Sequence, residues 1–188
     1  MNSFLSRNEL VELGFCKIGD DVLLSRKASI YGASRISLGN HVRIDDFCVF
    51  SAGEGGISIG NYVHIAVYTS LIGGGAIQIN DFANISSRVS IYSSNDDYSG
   101  QFMTNPVVPS MYTNVTKADV VIGRHVIIGS GSIVLPGVIA HEGAAIGALS
   151  LVKNDCDSFY IYSGSPAKKL KRRSDRLLDF EKLLINGN

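Results

Sequence analysis

The chain has no tryptophan, only four prolines, and three cysteines that form no CxxC pair. Cys16, Cys48 and Cys156 are odd in number and far apart, so neither a disulfide framework nor a zinc-binding cysteine set is expected, and a reducing cytoplasm fits. Excess charge is also missing: 17 Lys+Arg balance 17 Asp+Glu, and the isoelectric point is near 6.9. So balanced a chain lacks the broad basic surface that nucleic acid requires. No stretch approaches the roughly 20 apolar residues of a membrane helix. The opening MNSFLSRNELVEL lacks the basic-then-apolar order of a signal peptide. The expectation is a cytoplasmic protein with no membrane and no nucleic-acid partner. With 188 residues, 45% of them hydrophobic, the chain is long enough for one domain (1–188) with a sizeable core and too short for two.

What the chain does have is a repeat of six. Ile122, Ile128, Val134, Ala140, Ile146 and Val152 recur at that interval, as do Ile18, Leu24, Ile30 and Ile36. So do Leu38, Ile44 and Phe50; Ile59, Ile65 and Leu71; and Ile79, Ile85 and Ile91. Several are followed by glycine: Gly19, Gly39, Gly60, Gly123, Gly129 and Gly147. A helix repeats its apolar residues at three and four, a strand at two. Sustained sixes instead describe a chain that runs straight, turns, and runs straight again. Three such sides close one triangular coil of about eighteen residues, with the aliphatics stacked inside. Glycine after the core residue suits a crowded corner or one with positive φ. A β-sandwich, with strands every 8–12 residues and varied loops, does not produce such regular sixes. The fold class is therefore an all-β solenoid, a parallel β-helix of hexapeptide repeats.

Breaks in the spacing locate insertions. Phe50 to Ile59 carries three extra residues and Leu71 to Ile79 two. Ile91 to Ile122 carries a surplus of twenty-five, a polar excursion at about 94–119. In solenoids such loops gather on one face, often the binding face. Around Ser3 to Gly14 a short helix is expected, with Ser6 as N-cap, Glu9 completing a capping box, Leu10 and Leu13 on one side, and Gly14 as its stop. A second helix is expected from Lys168 to Leu184. The chain then divides into an N-terminal helix and cap (1–17), the β-helix (18–167) and a C-terminal α-helix (168–188), the helices covering the open ends.

The run IGRHVIIGSGSIVLPGVIAHEGAAIGALSLV, followed by IYSGSPAKKLKRR, resembles the last coils and C-terminal segment of the hexapeptide-repeat acyltransferases. The resemblance extends over about 18 to 173. The loop NDDYSG…TNP…P…YTNV and the preceding DFANISSRVSIYS are similar to a group of that family from O-antigen gene clusters. The resemblance implies a left-handed β-helix, a homotrimer with active sites between subunits, and acetyl-CoA as cosubstrate with no metal. It also implies transfer of acetyl to the amino group of a nucleotide sugar of the dTDP-4-amino-4,6-dideoxyglucose type, for O-antigen or surface polysaccharide synthesis. The alternative on the same fold is a sugar O-acetyltransferase of galactoside or O-antigen type.

For the donor, the resemblance points to Ser130 and Ala148 as pantetheine contacts from stacked coils, and to Lys153, Lys168 and Lys171 near the adenine and phosphates. Lys168, Lys169, Lys171, Arg172 and Arg173 form the one dense basic cluster, which reads otherwise as a solvated charge run. For the chemistry, many O-acetylating relatives carry a loop histidine; this loop has none, and Asp96 stands there. Asp96 and Asp97 are candidates to accept or orient a proton; the rival reading is an Asx turn at Asn95-Asp96. Arg43, His64 and Asn84 occupy equivalent positions in successive coils, so His64 is a third catalytic candidate, with Asn84, Ser86 and Tyr98 for the substrate. The rival reading is a ladder of exposed polar groups. His41, His125 and His141 are expected at surface corners. A hydroxyl needs a base poised near neutral pH, which histidine supplies and an ordinary carboxylate does not. A deprotonated amine already has its lone pair, so the loop without histidine points to N-acetylation. A γ-type carbonic anhydrase shares the solenoid but needs three histidine ligands, and no stacked set exists. A non-catalytic scaffold needs neither the loop nor the basic end.

Overall fold

The structure, a computed structural model, describes residues 3–187. Met1 and Asn2 of the expected N-terminal piece, and Asn188 of the C-terminal one, lie outside the described residues. The sixes fold into three parallel sheets that wrap a single core. Coil 1 (17–31), coil 2 (36–52), coil 3 (57–73), coil 4 (77–92), coil 5 (120–134) and coil 6 (139–152) each give one strand to each face. Part of a seventh coil follows, with a bridge at Cys156 and a strand at Tyr160–Ser163.

The first face holds Ile18, Leu38, Ile59, Ile79, Ile122 and Ala140 in register down its length. The second holds Leu24, Ile44, Ile65, Ile85, Ile128 and Ile146; the third ends in Val134 and Val152. Leu24, Ile44, Ile65, Ile85 and Ile128 are fully buried. Burying each such side chain contributes roughly 1.5–3 kcal/mol. Ile79 pairs directly with Ile122, so the long excursion is inserted between adjacent coils without disturbing their stacking. The excursion has its own stem, an antiparallel pair of Ser94–Asn95 with Thr116–Lys117.

Three expectations are corrected or narrowed here. Ile36 does not open the next side; Ile18 pairs with Leu38, and Ile36 is buried two residues earlier in the same strand. Ile30 to Leu38 is eight residues rather than six, and the surplus is taken up at a 3₁₀ turn, Ala33–Arg35, held by the Arg35 guanidinium donating to the Ala52 carbonyl at 2.6 Å. The repeat glycines serve crowding rather than positive φ. A Cβ on Gly39 would sit 2.5 Å from the Gly60 carbonyl oxygen, and one on Gly123 2.7 Å from that of Ala140. Positive φ falls two residues later, on His41 (55°), Tyr62 (55°), Phe82 (60°) and His125 (56°). Neighbouring coils stabilise those corners: the side-chain oxygens of Asn40, Asn61 and Asp81 accept the backbone N–H of Asp20, Asn40 and Asn61 at 2.7–2.9 Å.

The third correction concerns the ends. The N-terminal helix α1 (Arg7–Glu12) forms as expected, with Ser6 and Glu9 in a capping box. Leu10 is buried against the first coil, whereas Leu13 is 42% exposed. The C-terminal helix begins not at Lys168 but at Leu177: α2 is Leu177–Asn186. Lys168–Arg172 is instead an antiparallel strand on Tyr160–Ser163. The last coil otherwise presents unpaired backbone groups, and this strand covers them. Lys169 secures it, 2.6 Å from Asp157 and 3.6 Å above the Tyr160 ring. Helix α2 lies beside a corner, where Glu181 accepts from Arg124 and, at 2.7 Å, from His125.

Candidate functional site

Outward positions on the second face form two columns. Arg43, His64 and Asn84 are in register in coils 2, 3 and 4, as their spacing predicts. Two residues along, Asp45, Ala66 and Ser86 make the second column, each N–H donating at 2.9 Å to the next coil. The Asp45 carboxylate joins the columns: it lies 2.8 Å from His64 Nε2 and 2.8 Å from Arg43 Nε. Burial opposes ionisation of Asp45, but hydrogen bonds from His64 and Arg43 outweigh it and hold the carboxyl below its usual value. Asn84 is exposed and Ser86 half-buried. Asp45 escaped the sequence reading; its one signal was its place two residues after an outward arginine.

The long loop arches over part of the third face and borders an open recess of about 810 Å³. Its floor is apolar, with Ile72, Ile133 and Leu151 from three coils, and Asp96 and Tyr98 stand on its rim. The Asp96 side chain is exposed and makes no hydrogen bond among the described residues. Asp97 behaves otherwise. Its carboxylate accepts the Ser99 N–H at 2.5 Å and lies 3.5 Å from Asn114 Nδ2. The Ser99 contacts hold it below the usual carboxylate range. The Asx turn expected at Asn95-Asp96 is therefore found one residue on, where Asp97 shapes the loop. Tyr98 is 87% exposed.

The donor candidates gather at the other end. Ser130 and Ala148 are exposed on one corner of coils 5 and 6, where the Leu149 N–H donates to the Ser130 carbonyl at 2.9 Å. The Ala167 N–H donates to the Leu151 carbonyl at 2.8 Å, which draws Lys168 alongside the segment carrying Lys153. Lys153, Lys168 and Lys171 are exposed and form no ion pair among the described residues, in contrast to Lys169. Arg173 is spent on structure, donating to the His125 and Gly143 carbonyls at 2.9 Å each.

Within the chain the catalytic and substrate candidates thus fall into two groups. His64, Asn84 and Ser86 lie on the second face; Asp96 and Tyr98 overhang the third. The remaining histidines are apart from both: His41 stacks on Tyr62 and His125 on Phe82, with centroids 4.5 and 4.9 Å apart. Among the described residues, no group of three or more His, Cys, Asp or Glu is placed to hold a metal ion.

A three-sided parallel solenoid with an inserted loop above an apolar recess and a free basic end defines the class of the hexapeptide-repeat acyltransferases. No protein-family model matches the chain. It is 63% identical over 179 residues, 95% of its own length and 93% of the relative's, to the dTDP-4-amino-4,6-dideoxy-D-glucose acyltransferase of Escherichia coli. It superposes with a TM-score of 0.94 on AntD, an N-acyltransferase from Bacillus cereus solved with dTDP and 3-hydroxybutyryl-CoA, at 47% identity over 100% of this chain and 98% of that one. Another form of AntD, solved with dTDP-4-amino-4,6-dideoxyglucose and coenzyme A, gives a TM-score of 0.95 at 46% identity over 100% of both chains. The chain belongs to the hexapeptide-repeat acyltransferases, in the branch that contains dTDP-4-amino-4,6-dideoxyglucose acyltransferase. The solved forms of AntD include replacements of one serine and one aspartate, ten residues apart. In the stretch from coil 4 into the loop, Ser86 and Asp96 have that separation here, as do Ser87 and Asp97.

Proposed function

We propose that the chain transfers acetyl from acetyl-CoA to the amino group of a dTDP-4-amino-4,6-dideoxy sugar, in the cytoplasm, for O-antigen or surface polysaccharide synthesis. The observation that carries the reading is identity of 63% across nearly the full length to a dTDP-4-amino-4,6-dideoxy-D-glucose acyltransferase. The site chemistry agrees: the loop has an unengaged carboxylate and no histidine, which suits an amine better than a hydroxyl. The amine attacks the thioester carbonyl, and a C–N bond forms as the carbonyl oxygen becomes an oxyanion held by backbone N–H groups. The C–S bond breaks, CoA leaves as thiolate and takes up a proton. Asp96 accepts the proton that the nitrogen sheds. Of the two pairs with the AntD spacing, Ser86 and Asp96 suit this role, because Asp97 is committed to its own turn.

Ser86 and Asp96 of one subunit lie on different faces, so a site using both takes the loop from a neighbour. A homotrimer with its sites between subunits supplies that, and it gives Tyr98, Val107 and Met111, exposed by 87, 89 and 77%, a surface to cover. Ser130, Ala148, Lys153, Lys168 and Lys171 hold the donor; His64, Asn84 and Tyr98 face the nucleotide sugar. The test offers acetyl-CoA with dTDP-4-amino-4,6-dideoxyglucose and, separately, with galactosides, and follows product by mass. Acetylation of hydroxyl acceptors alone defeats the amine reading and leaves the O-acetyltransferase. Light scattering that finds an active 20.2 kDa monomer defeats the trimer.

A further inference from the structure

The Asp45 carboxylate is doubly held, and its two partners constrain each other. Arg43 can only donate, so it takes one oxygen, Oδ1, at 2.8 Å. The other oxygen, Oδ2, lies 2.8 Å from His64 Nε2. An ionised carboxylate only accepts, so Nε2 must carry the hydrogen. In the neutral ring the lone pair is then on Nδ1. His64 is 42% exposed at its side chain, and Nδ1 has no partner among the described residues. Asn84 is in register with His64 in the next coil, and Ala66, two residues along, stands in the column between Asp45 and Ser86.

We infer that Asp45 is a positioning residue: clamped by Arg43, it fixes His64 as the Nε2–H tautomer, so that Nδ1 presents a hydrogen-bond acceptor to an N–H or O–H of the amino sugar. This rests on the reading that the second face receives that sugar. It extends that reading by naming which edge of the ring meets the substrate and what aims it. The charged groups facing His64 are Arg43 and Asp45 from coil 2; coil 4 offers the neutral Asn84.

Asp45→Asn tests it sharply. Arg43 still needs an oxygen, so the amide turns its oxygen to Arg43 and its NH₂ to His64. Nε2 must then accept, the hydrogen moves to Nδ1, and the acceptor facing the sugar becomes a donor. Long-range ¹⁵N–¹H spectra of the ligand-free wild-type enzyme are expected to show His64 protonated on Nε2, and those of Asp45→Asn on Nδ1. The kcat/KM for the amino sugar is expected to fall roughly 10–100-fold, because an acceptor has become a donor. The KM for acetyl-CoA is expected to stay within about twofold. A wild-type ring protonated on Nδ1, or an unchanged kcat/KM for the amino sugar, overturns the inference. The wild-type spectrum stands even if the variant fails to fold. If wild-type enzyme does not acylate the amino sugar at all, the functional reading fails instead, and the tautomer alone decides whether Asp45 aims the ring.

Discussion

Asp96 and Asp97 are neighbours in sequence with opposite structural employment, and replacing each by asparagine separates chemistry from loop shape. Asp97→Asn keeps an oxygen for the Ser99 N–H it now accepts at 2.5 Å. Lost with the charge, at an exposed turn, is the long 3.5 Å contact from Asn114 Nδ2, and kcat/KM is expected to fall less than about threefold. Asp96→Asn removes a carboxylate with no structural duty among the described residues, on the rim of the 810 Å³ recess. If it accepts the amine proton, the loss is about 10–10³-fold in kcat, or roughly 1.4–4 kcal/mol of barrier. The KM for acetyl-CoA stays put, because the lost interaction belongs to the transition state. Without its base the variant should also gain rate as pH rises and solvent deprotonates the amine. Release of CoA thiol, followed with dTDP-4-amino-4,6-dideoxyglucose in excess, measures both variants. A larger loss in Asp97→Asn than in Asp96→Asn refutes the assignment, as does the same small loss in both.

Replacing Lys168 and Lys171 together with alanine should raise the KM for acetyl-CoA about tenfold with kcat within twofold, since phosphate contacts act equally on ground and transition states; initial rates decide it, and an unchanged KM makes the cluster mere surface. A thiol reagent should titrate one fast equivalent per native chain, at Cys16. Burial pushes Cys48 and Cys156 up to about 11, so rapid reaction of two thiols contradicts the core. Glu9 is held at about 2, against 4.5 ordinarily, chiefly by Arg26 and then by Ser6. Its folded-state value is depressed, so its support for α1 is present above pH 4.5 and lost as pH falls toward about 2. Thermal melts should therefore show Glu9→Gln below wild type at pH 7 and level with it near pH 2. Ile85→Ala, at a fully buried position between coils 3 and 5, should cost about 2–5 kcal/mol in chemical denaturation.

The solenoid was legible because its determinant is local and periodic. Each core aliphatic, from Ile44 through Ile128, must recur where the next coil passes, so the period is written along the chain. Insertions were legible as breaks in that period, except at Ala33–Arg35. There Ile36 keeps the interval of six by coincidence and conceals the true partner, Leu38. The start of α2 was misplaced for the opposite reason. KKLKR alone satisfies helix and strand alike, and the unpaired edge left by Tyr160–Ser163, a tertiary demand, chose the strand.

The candidate site was legible only as far as it follows the repeat. His64 and Asn84 could be placed side by side because equivalent positions stack. Asp45 could not be singled out, because its value comes from a side chain crossing from one column to the other, and that crossing has no period. Asp96 and Asp97 show the same limit inside the loop. Sequence offered two adjacent carboxylates, and only the turn closed on the Ser99 N–H tells which one is occupied. The apolar floor beneath them was hidden too. Ile72, Ile133 and Leu151 belong to three coils and face outward, positions that the inward-counting repeat ignores. An outward aliphatic on a solenoid face costs exposure unless something covers it. Here the loop is inserted where it covers that floor in part and leaves a recess. On the proposed reading, the recess, the free carboxylate on its rim and the histidine held one face away come together only when a neighbouring coil stack brings its loop to the second face.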